Sequence, residues 1–118
     1  MTGRTAPSPA PQPSAGDLDL VAILRALGDP VRLDIVTVLD ANGEQTCGQL
    51  AERLRLPLST LSRHLRQLRE SGATHSRRDG TTRWVSLREQ DLAARFPGLL
   101  PAITTAGRAP TRRSPPAR

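Results

Sequence analysis

Leucines at 58, 61, 65 and 68 recur at steps of three and four, which draws one apolar stripe along a helix over 58–71. Between them stand Ser59, Thr60, Ser62, Arg63, His64, Arg66 and Arg69, so the other face carries hydroxyls and guanidinium groups. The same periodicity organises the chain on either side. "DLDLVAILRAL" (17–27) is helical, with acids near its start where the helix dipole favours them. Its apolar positions 18, 20, 21, 23, 24 and 27 cover more than one narrow stripe. Gly28 ends it. Asp29 followed by Pro30 is an N-cap with proline at the first helical position, opening a helix over 30–40. Val31, Leu33, Ile35, Val36, Val38 and Leu39 make that helix apolar nearly all round, as a central core helix requires.

"ANGE" breaks the chain at 41–44, and Thr46 with Gln49 forms a capping-box pattern that opens a short helix to Leu54. A three-residue turn without glycine, "RLP", then leads into 58–71. Two short helices joined by a tight turn, the second basic on its free face, make a helix-turn-helix pattern. In "THSRRDGTTRWVSL" (74–87), Asp79-Gly80 is a hairpin-turn dipeptide and the flanking runs alternate as strands. Trp84 falls on one side of the second run and Arg83, Val85 and Leu87 on the other. A further helix covers 89–96, and "GLLPAI" (98–103) adds a last turn interrupted by Pro101. The expected fold is mainly α with a small β-hairpin: a winged helix-turn-helix of about five helices plus a wing.

Composition sets the limits of that domain. Of 118 residues, 1–16 and 107–118 are rich in Pro, Ala, Ser, Gly and Arg. They lack the apolar surface that offsets the entropy of ordering, so both read as disordered tails around a domain over 17–106. A core that small often gains stability by dimerising. No stretch is long or apolar enough to span a membrane, and the N-terminus lacks the apolar segment of a secretory signal. The single cysteine fits a reducing, cytoplasmic setting. No paired-carboxylate site, phosphate-binding glycine loop or Cys-His pairing suggests an enzyme.

The net charge of +6 is unevenly spread. Residues 17–51 sum to −4, whereas 52–88 sum to +6 from nine arginines against three acids. The chain is therefore polarised, with its basic half centred on the helix-turn-helix, which is the footprint of a nucleic-acid binder. A solvated arginine-rich surface gives the same charge pattern.

"ALGDPVRLDIV", "QLAERL", "STLSRHLRQLRESG" and "SRRDGTTRWVSL", in this order and spacing, resemble the winged helix-turn-helix of the ArsR/SmtB family of metal- and stress-responsive repressors. The resemblance covers about residues 24–87. It implies a homodimer built from the first and last helices, with the 58–71 helix placed in the major groove of double-stranded DNA. Ser59, Thr60, Ser62, Arg63 and His64 fall at its reading positions. Serine and threonine suit phosphates or base edges, and arginine can contact guanine bidentately. Arg66 and Arg69, further along, suit phosphate, and Arg77, Arg78 and Arg83 on the hairpin suit the backbone or minor groove. His64 beside a buried leucine has packing as its other reading. Leu58, Leu61, Leu65 and Leu68 take the core role. Pro57 departs from the family's usual serine-like N-cap.

The family's inducer sites are not intact. Where it places a Cys-x-Cys pair, this chain has Thr46 and Gly48 with Cys47 between them. Where it places histidine and acids on the last helix, this chain has Glu89 and Asp91 without histidine. Asp17, Asp19, His75, Glu89 and Asp91 are the candidates for nickel, zinc or cobalt held across a dimer. No cofactor is required by the reading. Cys47 at a helix start is a candidate redox thiol, with a depressed pKa if exposed. The alternatives are a regulator controlled by a partner protein and a winged-helix protein-interaction module.

Overall fold

The computed structural model describes residues 12–107. A 3-10 turn at Ala15–Asp17 precedes α1 (Leu20–Leu27) and α2 (Pro30–Asn42). The short strand β1 (Gln45–Thr46) leads into α3 (Cys47–Leu54) and α4 (Leu58–Ser71). The hairpin β2 (Thr74–Asp79) and β3 (Thr82–Leu87) follows, then α5 (Glu89–Arg95) and α6 (Leu99–Gly107). The three strands form one antiparallel sheet in the order β1-β3-β2.

Local chemistry sets most of these boundaries. Asp19 caps α1 by accepting from the amide of Ala22 at 3.0 Å, so the helix starts at Leu20 and not at Asp17. Asp29 accepts from the amides of both Val31 and Arg32, and Pro30 occupies the first position of α2. Thr46 and Gln49 close a reciprocal capping box on α3, at 3.0 Å and 2.9 Å. Pro101 does not interrupt the last helix. It stands in the first turn of α6, where an N–H would have no intrahelical acceptor, and the helix runs on to Gly107. There are thus six α-helices among the described residues.

Two features of the sheet differ from the expectation. Gln45 and Thr46 pair with Val85 and Trp84, giving β3 a second partner. The hairpin loop is Gly80-Thr81, because Asp79 pairs with Thr82 as the last rung. Gly80 takes φ +65° at the first loop position, a conformation glycine adopts without a Cβ penalty.

The core lies between α2 and its neighbours α1, α3, α4, α6 and β3. Ile23, Ile35, Val36, Leu39, Leu50, Leu61, Leu68 and Val85 are fully buried there. Gly72 ends α4 at φ +93°, where a Cβ would collide with the Cδ2 of Leu18 and lie 2.9 Å from Pro13. Pro13 also accepts a hydrogen bond from Arg88 Nη1 through its carbonyl at 2.7 Å. Residues 12–16, assigned to the tail by composition, therefore include chain that packs on the domain. The tail readings for 1–11 and 108–118 lie outside the described residues. No described helix is long and apolar enough to cross a membrane.

Candidate nucleic-acid interface

The turn that sets α4 against α3 works without glycine because Arg55 adopts the left-handed conformation, φ 56° and ψ 50°. The amide of Leu56 then reaches back to the carbonyl of Ala51 at 3.0 Å, closing α3. Pro57 sits at the N-cap of α4 with no side-chain cap. Leu58, expected in the core, is instead 57% exposed. It lies before the point where α4 settles on its neighbours, and the buried stripe begins at Leu61 and continues through Leu65 and Leu68. Ser59, Ser62, Arg63 and Arg66 are exposed, and Thr60 is half-buried. With no acid between Ser59 and Arg69, this stretch of α4 offers donors and positive charge to whatever meets it.

The three expected wing arginines differ in their surroundings. Arg78 is exposed near the hairpin tip. Arg77 is held by Glu44 through two bonds of 2.9 Å and 2.8 Å, and its guanidinium lies 5.3 Å from the centre of the Trp84 ring. The hydrogen bond from Arg77 holds the Glu44 carboxyl below its ordinary range and raises Arg77 in turn. This pair ties the wing to the loop before β1. Arg83 is half-buried and turns toward α3 and α4.

Two residues of the α4 set are directed inward. His64 packs against the cap of α2, with Nδ1 3.9 Å from Asp29 Oδ2 and its side chain 17% exposed. That position takes it out of the outer face, in favour of its packing reading. Arg69 is 6% exposed, and burial beside Arg83 pulls its pKa below the usual arginine range. Cys47, at the first position of α3, is half-buried, and desolvation raises its pKa despite Arg83 and Arg69 nearby. Exposure, the condition for a depressed thiol, is not met at Cys47, and burial outweighs the positive charge around it.

The metal candidates have local engagements. Asp17 accepts from Ser14 Oγ at 2.8 Å, and Asp19 caps α1. His75, Glu89 and Asp91 line one open cleft together with Arg88, whose guanidinium is bound to Asp91 at 3.0 Å. Arg88 thus already holds one of the two carboxylates that line this cleft. Among the described residues no three His, Cys, Asp or Glu side chains gather as a metal site within the chain.

The helix-turn-helix followed by a two-stranded wing matches known proteins in both sequence and shape. A helix-turn-helix domain model matches residues 27–77. The HTH-type transcriptional regulator YceK of Bacillus subtilis is 38% identical over 82 residues, spanning 69% of this chain and 82% of its own. The chain belongs to the ArsR family of winged helix-turn-helix transcriptional regulators. The transcriptional repressor BigR from Xylella fastidiosa is similar to this regulator at 33% identity, over 74% of this chain and 84% of its own, with a TM-score of 0.61. The homodimeric winged helix-turn-helix DNA-binding domain Mb0332 from Mycobacterium bovis is similar at 26% identity, over 74% and 76%, with a TM-score of 0.63.

Some residues that shape this regulator's surface gave no local signal. Glu44 stood in a segment read only as a helix break, and its partner lies 33 residues away. Asp29 was legible as a cap but not as the neighbour of His64.

Proposed function

We propose that this regulator binds DNA as a homodimer, with α4 of each protomer in the major groove and the wing alongside the backbone. The observation that carries this reading is the acid-free outer face of α4, where Ser59, Ser62, Arg63 and Arg66 are exposed together while Leu61, Leu65 and Leu68 anchor the helix. Arg63 and Ser59 read base edges, Ser62, Thr60 and Arg66 meet bases or phosphate, and Arg78 meets the backbone. Leu20, Val21 and Leu24 form an exposed apolar face on α1, which serves as dimer contact together with the last helix. Two recognition helices about 34 Å apart require an imperfect palindrome. Binding near a promoter blocks polymerase, so repression is the expected direction, as it is for the repressor BigR.

Arg63→Ala and Arg78→Ala separate base reading from backbone binding. Arg63→Ala should cost roughly 1–3 kcal/mol on the preferred duplex and relax preference at one base pair, whereas Arg78→Ala should weaken all duplexes alike. Anisotropy titrations against preferred and scrambled duplexes measure both. Equal binding of wild type to the two duplexes, with neither variant changing it, would favour a protein-interaction role.

A further inference from the structure

A cleft of about 310 Å³ opens between α3, α4 and β3, lined by Cys47, Ser62, Leu65, Arg66, Arg69 and Arg83. Three guanidinium groups converge here and no carboxylate lines the opening. Arg69 is the innermost, 6% exposed, and its Nε has no hydrogen-bond partner among the described residues. A buried, charged N–H without an acceptor is costly, and neighbouring like charges add to that cost. The Cys47 thiol, kept protonated by burial, supplies no counter-charge, and Glu70, next along α4, offsets part of the repulsion at Arg69 without lining the cleft. The first turn of α3 begins at Cys47 and adds the partial positive charge of a helix N-terminus to the same cleft.

We infer that this cleft is a seat for a phosphate-type oxyanion, held by Arg66, Arg69 and Arg83. Guanidinium forks match the oxygens of a tetrahedral phosphate, and such an occupant gives Arg69 Nε its missing acceptor. Ser62 adds a hydroxyl at the rim. Ser62 and Arg66 also belong to the exposed face of α4, so the seat adjoins the surface assigned to DNA. Its occupant in the complex is a backbone phosphate. That last assignment rests on the docking proposed above; the seat itself does not.

Inorganic phosphate is the probe, followed by phosphorus NMR on the full-length protein at fixed ionic strength. The seat requires saturable broadening of the phosphate signal, lost or at least severalfold weaker in Arg83→Gln, a half-exposed position whose change should leave the fold intact, with circular dichroism as the check. Arg69→Lys, which keeps the charge and removes the fork and Nε, should weaken phosphate likewise. The backbone assignment requires that duplex DNA displace phosphate, and that Arg83→Gln reduce the slope of log affinity against log salt by about one. Phosphate that stays bound beside DNA, with an unchanged slope, would overturn the backbone assignment and leave a free ion as occupant. Broadening that never saturates, or that both variants retain in full, would overturn the seat. If the protein binds no DNA at all, the docking fails and the phosphate titration decides the seat by itself.

Discussion

Arg63, Arg69 and Arg77 carry the same guanidinium group and have different surroundings. Arg63 is exposed on the outer face of α4, Arg69 is buried beside two other arginines, and Arg77 is clamped by Glu44 and stacked near Trp84. Charge at a sequence position therefore says little about what that charge meets. The leucines show the same division. Leu58 and Leu61 are one turn apart on α4, but Leu58 is 57% exposed and Leu61 is fully buried. Leu61→Ala should destabilise the fold by about 2–5 kcal/mol through lost burial and the cavity left behind. Leu58→Ser should change stability by no more than about 0.5 kcal/mol, as exposed substitutions do. Paired urea titrations check this, and a large loss at Leu58 would mean that its side chain is covered in solution.

At the scale of elements, the wing is held by a contact that depends on pH. Arg77 lowers the pKa of the Glu44 carboxyl in the folded protein below its ordinary value. A carboxyl depressed by folding contributes stability that is full above its unfolded value and is lost as pH falls through the folded one. The contact should therefore hold at neutral pH and release in acid, below the ordinary carboxylate range. Trp84 fluorescence should report that release in the wild type and show a weaker acid transition in Glu44→Gln. Superimposable acid profiles would remove Glu44 as the anchor. The elements themselves were legible where their signals were local: Asp29-Pro30, the Thr46–Gln49 box and the α4 stripe each lie within a few residues. β1 was not, since two residues carry no alternation and pair with a strand about 40 positions on. Pro101 was read as a break because the start of α6 was not fixed by a cap. The inward turn of His64 and Arg69 depends on neighbours from other elements, Asp29 for the one and Cys47 and Arg83 for the other, which no helical period reveals.

Across the whole molecule, charge and apolar surface are separated. The exposed Leu20, Val21 and Leu24 lie on α1, in the acidic half of the chain, and the arginines gather on α4 and the wing. This separation suits a molecule that joins a second copy by one surface and meets a polyanion with another. Val21, 57% exposed, tests the first surface. Val21→Asp should shift the protein toward monomer in analytical ultracentrifugation while leaving the protomer folded. Operator affinity should fall with the dimer, since one recognition helix cannot engage both half-sites. A Val21→Asp protein that stays dimeric would place the interface elsewhere.

Selection of duplexes from a randomised pool, followed by sequencing of the bound fraction, addresses the docking of α4 without knowledge of the operator. Paired recognition helices in successive major grooves predict convergence on an inverted repeat, with half-site centres about 10 base pairs apart. In the same selection, Arg63→Ala should lose preference at one symmetric pair of positions. A pool that remains random after repeated rounds, or a consensus without two-fold symmetry, would contradict a dimer reading DNA through α4.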